Sequence, residues 1–428
     1  MKQVKEEKRE GYKLTKVGWI PEDWDVKIMR ELFAIKHGFA FKSDFFSSEG
    51  KYIVTTPGHF FEDGGFRKRE GIEKKYIGDF PREYILKYHD LVIAMTEQGA
   101  GLLGSTAIIP TSDTYLHNQR IGLVNGVRED LHPNYLYYFL NRKETRQLIS
   151  QSAAGTKVKH SSPDKILSLS IPIPSIPEQK AIAKVLTSWD EGIQKLEQLI
   201  EQKTLKKQAL MQQLLTGRKR LPGFVFEQEY TQTKLGLLPN DWKLRKAGEL
   251  FRSVSIKNND NEELLAVTQD RGAIPRSMLE GRVMSPDGST NGYKLVVPGN
   301  FIISLRSFQG GLEYSDYRGL VSPAYTVLEP RVDLDKSFFR YFFKSQEFIS
   351  RLAVAVIGIR DGKQISFGDF SHLYFRFPPL EEQQKIATIL NTSTKEIDLL
   401  KQKLAAMKEQ KKGLMQQLLT GKKRLKME

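Results

Sequence analysis

The sequence predicts an α+β protein with two pseudo-symmetric α/β lobes separated by two long antiparallel coiled-coil helices. Three observations predict this: the chain is duplicated, each copy ends in a helical repeat with an apolar seam, and the stretches between alternate strand and helix patterns. The 428 residues suit two or three domains, and 39% hydrophobic residues can fill real cores. The chain has no cysteine, which excludes disulfides, iron–sulfur clusters, thiolate zinc sites and a cysteine nucleophile. No apolar run reaches the ~18 residues of a membrane span, and Met1 to Glu10 is mostly charged, so a cytoplasmic protein with no membrane partner is expected.

The duplication is explicit. Leu210-Met211-Gln212-Gln213-Leu214-Leu215-Thr216-Gly217 recurs unchanged as Leu414 to Gly421. The same spacing pairs Glu178-Gln179 with Glu382-Gln383, Ile182-Ala183 with Ile386-Ala387, and Lys219-Arg220-Leu221 with Lys423-Arg424-Leu425. Near the lobe starts, Gly18, Pro21 and Asp23-Trp24 answer Gly236, Pro239 and Asp241-Trp242. The implied plan is a tail over 1–13, a lobe over 14–176, a central helix over 177–221, a second lobe over 222–380 and a C-terminal helix over 381–428.

Ser175-Ile176-Pro177-Glu178 fits a capping box, and Gly217 and Gly421 follow the last apolar residues as helix-ending glycines do. The ~38 residues between span ~57 Å as helix. A 4-3 spacing gives a seam of Ile182, Leu186, Trp189, Ile193, Leu196, Ile200, Leu210 and Leu214 in the first copy. In the second it gives Ile386, Leu390, Ile397, Leu400, Leu404, Met407, Leu414 and Leu418. Lys203, Lys207, Ser393 and Lys411 interrupt it. A stripe this narrow needs a partner, and the other copy is the simplest one; an amphipathic helix packed on its own lobe is the competing reading.

The net charge is +15, of which +4 falls on 178–221 and +5 on 381–428. The cations at the helix ends, Arg218-Lys219-Arg220 and Lys422-Lys423-Arg424, suit helix C-termini and solvent, or a contact with phosphates or a partner protein.

In the lobes, 90–95 and 300–305 read as matching strands, and 134–140 and 338–343 as matching helices rich in Tyr and Phe, mostly core. Gly99-Ala100-Gly101-Leu102-Leu103-Gly104 matches G-x-G-x-x-G, but a second strand follows where a nucleotide site needs a helix and a later acid; a glycine-rich turn is expected. No phosphate-binding loop, metal cluster or catalytic constellation stands out, so no catalytic and no metal residues are assigned. The remaining candidates are basic and amide side chains able to hold phosphates and read base edges. They are Lys42, His59, Arg67, Lys68, Arg69, Gln98, Lys157 and Lys159 in the first lobe, and Lys257, Gln269, Arg271, Arg276, Arg282, Arg306, Gln309, Arg318, Arg360 and Lys363 in the second.

The run Ile171-Pro172-Ile173-Pro174-Ser175-Ile176-Pro177-Glu178-Gln179 with Ile182, its echo Phe377-Pro378-Pro379-Leu380-Glu381-Glu382-Gln383 with Ile386, the twin Leu-Met-Gln-Gln-Leu-Leu-Thr-Gly ends and the Gly…Pro…Trp openings together resemble the DNA specificity subunit of type I restriction–modification systems, over roughly 14–425. The resemblance implies a non-catalytic subunit whose two target-recognition domains each read one half of a split, asymmetric site in double-stranded DNA. It also implies two methylation subunits that carry S-adenosylmethionine for adenine-N6 chemistry, with no cofactor in this chain, and restriction subunits that join them for cleavage. A stiff helix pair could hold two readers the ~34–36 Å of one DNA turn apart. Competing readings are a coiled-coil scaffold without DNA contact, a specificity subunit of a related fused restriction–methylation system, and a self-contained methyltransferase.

Overall fold

The computed structural model describes residues 9–97, 101–155, 158–224, 229–279, 290–356 and 365–426. Two compact units emerge, one of Met1–Leu196 with Lys403–Glu428 and one of Glu197–Gln402. Compactness therefore divides the chain within the long helices rather than at their ends. Among the described residues no helix is long and apolar enough to cross a membrane.

In the first unit, the hairpin Tyr12–Thr15/Gly18–Pro21 opens the lobe. The strand Asp25–Ile28 then pairs with Ser170–Ile173, so the two ends of the lobe are hydrogen-bonded to each other. Between them lies an antiparallel sheet in the order Thr106–Ile108, Leu91–Ala94, Ile121–Asn125, Ala34–His37. A smaller sheet carries Tyr115–Leu116, Tyr52–Val54, Lys75–Tyr76 and Phe46–Ser47. The helices Pro133–Asn141 and Lys143–Ser152 follow. Leu91–Ala94 is buried on both faces, as its unbroken apolar run requires.

The second unit repeats the plan. The hairpin Tyr230–Thr233/Gly236–Pro239 opens it, and Lys243–Lys246 pairs with Tyr374–Phe377. Its main sheet runs Phe251–Val254, Thr326–Pro330, Phe301–Ile303, Glu313–Tyr314. Read from the strand nearest the lobe start, this is the order of the first lobe. The helices Lys336–Phe342 and Gln346–Val356 come next. The aromatic run is core: Phe338, Phe339 and Phe343 are fully buried with Phe251, Phe301, Phe348, Phe370 and Phe375.

The central helix is Ile176–Leu214 and the C-terminal helix Leu380–Leu418, 39 residues each. Both end alike: Lys219 donates its N–H to the Gln213 carbonyl and Lys423 to that of Gln417, with Gly217 at φ +73° and Gly421 at φ +67°. A Cβ on Gly217 would lie 2.9 Å from Pro239, and one on Gly421 2.3 Å from Pro21. The glycines thus serve both a left-handed turn and a close approach to the lobe-opening proline.

The helices run antiparallel in each unit. In the first, Glu178 meets Arg424 and Asp190 meets Lys411 (2.5 Å). In the second, Lys203 meets Glu396 (2.5 Å) and Arg220 meets Glu382. The lysines interrupting the seam therefore have roles: Lys203 and Lys411 pair with acids, and Lys207 sits 5.2 Å from the Tyr341 ring.

Of the sixteen apolar seam positions, Ile182, Leu186, Ile193, Leu196, Leu214, Ile386, Leu390, Ile397 and Leu418 are buried, and the other seven are half-buried. The seam is not only a helix–helix contact. Ile182 and Leu186 join the first lobe's core beside Met415, Leu418 and Leu419, and Ile386 and Leu390 join the second lobe's core beside Leu214 and Leu215. Each lobe core thus receives the start of one long helix and the end of the other. Leu186→Ala should cost ~2–5 kcal/mol in urea-induced unfolding, whereas Leu199→Ala on the exposed face of the same helix should change it by less than ~0.5 kcal/mol. Equal effects would contradict the assigned inner face.

Candidate nucleic-acid interface

The residues that frame each lobe come first, because they determine what the lobe can present. Glu178 is buried at the start of the central helix. It accepts the Trp24 indole N–H (3.0 Å) and two Arg424 N–H groups (2.6 and 2.8 Å). Arg424 makes a second two-pronged bond with Asp23 (2.9 and 3.0 Å) and lies over the Trp24 ring. The second unit repeats the set: Glu382 accepts from Trp242 (2.7 Å) and Arg220 (2.8 and 2.9 Å), and Arg220 also grips Asp241 (2.7 and 2.6 Å). Forked guanidinium–carboxylate bonds fix direction as well as charge.

The neighbouring glutamines complete the frame. Gln179 accepts the His132 N–H and donates to the Asp130 and Pro174 carbonyls. Gln383 accepts the Asp335 N–H and donates to Pro378. The expected capping box is therefore half made. Glu178 donates its N–H to Ser175 Oγ (3.4 Å), but its carboxylate is committed to Trp24 and Arg424. Likewise Arg220 and Arg424, read as part of basic runs, tie the ends of the long helices to the lobes, Arg220 half-buried and Arg424 exposed; Arg218, Lys219, Lys422 and Lys423 are exposed.

The bonds to Asp23 and Glu178 raise the Arg424 pKa. For Arg220, burial opposes the charge, but bonds to Asp241 and Glu382 outweigh it. The Arg424 bond holds Asp23 below the usual carboxylate range. Removing one partner of a buried pair leaves an uncompensated charge. The Arg220 and Glu382 side chains are 8% and 1% exposed, against 40% for Arg424. Arg220→Ala should therefore cost ~3–5 kcal/mol and Arg424→Ala only ~1–2 kcal/mol, measured by denaturant unfolding; the reverse order would refute the burial argument.

The described recognition candidates lie on loops and on short helical or strand segments of these frames. In the first lobe Lys42, Arg67 and Lys68 are exposed, and Arg67 lies 4.6 Å from the Phe61 ring. Arg69 is half-buried against Gly58. Lys159 is half-buried and donates to Ser150 Oγ (3.3 Å). His59 does not belong to a DNA-facing set. It is buried, its Nδ1 accepts the Thr56 N–H (3.1 Å), and its carbonyl accepts from Arg67, so it shapes the loop carrying Arg67 to Arg69 from beneath. In the second lobe Lys257, Gln269, Arg271, Arg306, Gln309 and Arg318 are exposed, and Arg276 is half-buried. Arg318 pairs with Glu262 (2.7 Å). Gln98, Lys157, Arg282, Arg360 and Lys363 lie outside the described residues.

Of the glycine-rich motif, residues 101–104 form a turn, and the structure shows what fills it; Gly99 and Ala100 lie outside the described residues. Glu97 Oε2 accepts the N–H groups of Gly101, Leu102 and Leu103 (3.1, 2.9 and 2.8 Å), so a carboxylate of the chain occupies the backbone cradle that a phosphate would use. The strand Thr106–Ile108 follows.

Burial pushes His59 and His117 each down to about 4. The folded state therefore binds fewer protons than the unfolded state below the ordinary value of 6.5, and stability falls as pH drops from 6.5 towards 4. Denaturant midpoints for the first unit should decrease over this window and recover in a His59→Gln/His117→Gln double variant. A flat profile in the parent protein would contradict the burial.

Comparison with known proteins places this arrangement. The family profile described as "Type I restriction modification DNA specificity domain" matches twice, over residues 21–205 and 239–409. A putative type I restriction enzyme MjaX specificity subunit of Methanocaldococcus jannaschii is 24% identical over 98% of both chains. The type I restriction enzyme MjaVIII specificity subunit of the same organism is 26% identical over 84% of both. The S subunit of the type I restriction–modification system from M. genitalium shares the fold, with TM-score 0.55 and 18% identity over 97% of this chain and 99% of that one. A chain solved in work on assembly and conformational transition of the type I R-M system gives TM-score 0.57 and 17% identity over 94% and 99%. The chain belongs to the type I restriction–modification DNA specificity family, as a recognition subunit and not a catalytic one.

Proposed function

We propose that the chain reads a bipartite, asymmetric sequence in duplex DNA, one half-site per lobe, and so positions methylation subunits for adenine-N6 methylation and restriction subunits for cleavage. The observation that carries this reading is the pairing of one framework with two different surfaces. Both lobes share strand order, opening hairpin and carboxylate–arginine–tryptophan frame, yet their exposed loops carry different basic and amide residues. Equal frames with unlike loops suit two readers of unlike half-sites.

The chemistry is assigned to partners. S-adenosylmethionine belongs on the methylation subunits, and the two copies of the frame support a pair of such subunits. Chromosomal DNA as substrate places the complex in the cytoplasm. Replacing residues 233–380 with the equivalent lobe of another family member should change one half of the methylated motif and leave the other intact, read by mapping methylated adenines. If both halves change, the lobes do not read independently. The complex should also release duplex DNA as salt rises, because phosphate contacts displace counterions; salt-insensitive retention would oppose a phosphate-contacting interface.

A further inference from the structure

The connection from an inner strand of the main sheet to its edge strand is topologically equivalent in the two lobes, and in each a basic side chain from the helical segment that follows fastens it. In the first lobe its described residues are 101–104, with Glu97 ahead of them. Arg146 donates to the carbonyls of Leu103 (2.8 Å), Gly101 (2.5 Å) and Glu62 (3.0 Å). In the second lobe it is the segment 304–312, with a short helix over Ser307–Gly310. There the Lys344 ammonium donates to the carbonyls of Gln269 (3.0 Å) and Gly310 (2.9 Å) and to the buried Glu313 carboxylate (2.7 Å). Three acceptors satisfy all three ammonium hydrogens.

Lys344 thus joins two segments that the sequence keeps apart. The Gln269 side chain lies on the backbone of Gly310, whose Cβ position would be 2.9 Å from Gln269 Cδ. Ala273 bridges Ser315. Four exposed donors stand on the joined segments: Gln269 and Arg271 on one, Arg306 and Gln309 on the other. Gln269 and Arg271 also border an open cleft of about 1530 Å³. Base readout requires such donors to be held within a fraction of an ångström of their acceptors, so the element that fixes their backbones controls selectivity without touching DNA.

We infer that Lys344 is the positioning residue for sequence reading by the second lobe, holding Gln269, Arg271, Arg306 and Gln309 as one surface that discriminates a half-site, and that Arg146 does the same for the turn of the first lobe. The inference rests on the proposed DNA-reading function.

The test uses the assembled methyltransferase, with duplexes carrying the wild-type motif or a single base change in either half-site. For Lys344→Met, the ratio of methylation rates between cognate and altered duplexes should fall at least tenfold for the half-site of the second lobe and stay within twofold for the other. Arg146→Met should give the mirror-image result. Phe370→Leu, a core change in the second lobe, controls for destabilisation and should lower all rates while leaving the ratios unchanged. Undiminished discrimination in Lys344→Met, or equal loss at both half-sites, would overturn the inference. A wild-type complex that ignores base changes in both half-sites would instead overturn the DNA-reading function itself.

Discussion

A buried carboxylate at the head of each long helix is the constraint on which the rest depends. Glu178 and Glu382 each hold together three stretches of chain: the start of their own helix, the tryptophan at the opening of the lobe, and an arginine just past the end of the opposite helix. A carboxylate buried alone would be costly. Here both oxygens are occupied by charged or indole N–H donors. The arginine in turn bonds a second carboxylate, Asp23 or Asp241, so one guanidinium is shared by two carboxylates, one of them buried.

This cluster explains why each unit is built from distant parts of the chain. Residues 403–428 close on the first lobe and 197–221 on the second. The arginine, the helix-ending glycine and the adjacent leucines arrive together: the glycine meets proline and tryptophan, and the leucines complete the lobe core. The frame then leaves the loops free to differ. In the first lobe Glu97 and Arg146 organise a turn from within, and in the second Lys344 and Glu313 perform the equivalent task with other chemistry. A motif that resembles a phosphate cradle in the sequence is thus satisfied internally by Glu97.

The long helices were legible because a 39-residue amphipathic pattern with glycine stops has few alternative readings. The strands Leu91–Ala94 and Phe301–Ile303 were legible for a similar reason, since fully apolar runs bounded by turns must be buried. The recognition candidates were less legible. Lys, Arg, Gln and His look alike in a sequence whether they face solvent, cap a turn or tie two loops together. His59 proved to be a buried cap, Arg318 an ion-pair partner of Glu262, and Arg220 and Arg424 intramolecular tethers. Arg146 and Lys344 carried no periodic or motif signal at all, because their role is set by carbonyls distant in the chain.

The amino-acid sequence by itself determined the duplication, the two helices with their antiparallel tendency, the α/β character of the lobes and the family, since all of these reside in spacing and repetition along the chain. The tertiary structure decided which repeated residues bond to which. Asp23-Trp24, Glu178-Gln179 and Lys423-Arg424-Leu425 are markers of a repeat when read in line, and Asp23, Trp24, Glu178 and Arg424 are one hydrogen-bonded cluster when folded. It also decided that the seam ends serve the lobe cores and that Lys344 unites two loops. The physical reason is that hydrogen-bond geometry and burial depend on positions in space, and residues as far apart as Tyr12 and Gly421, 409 positions, become neighbours only after the chain has closed on itself.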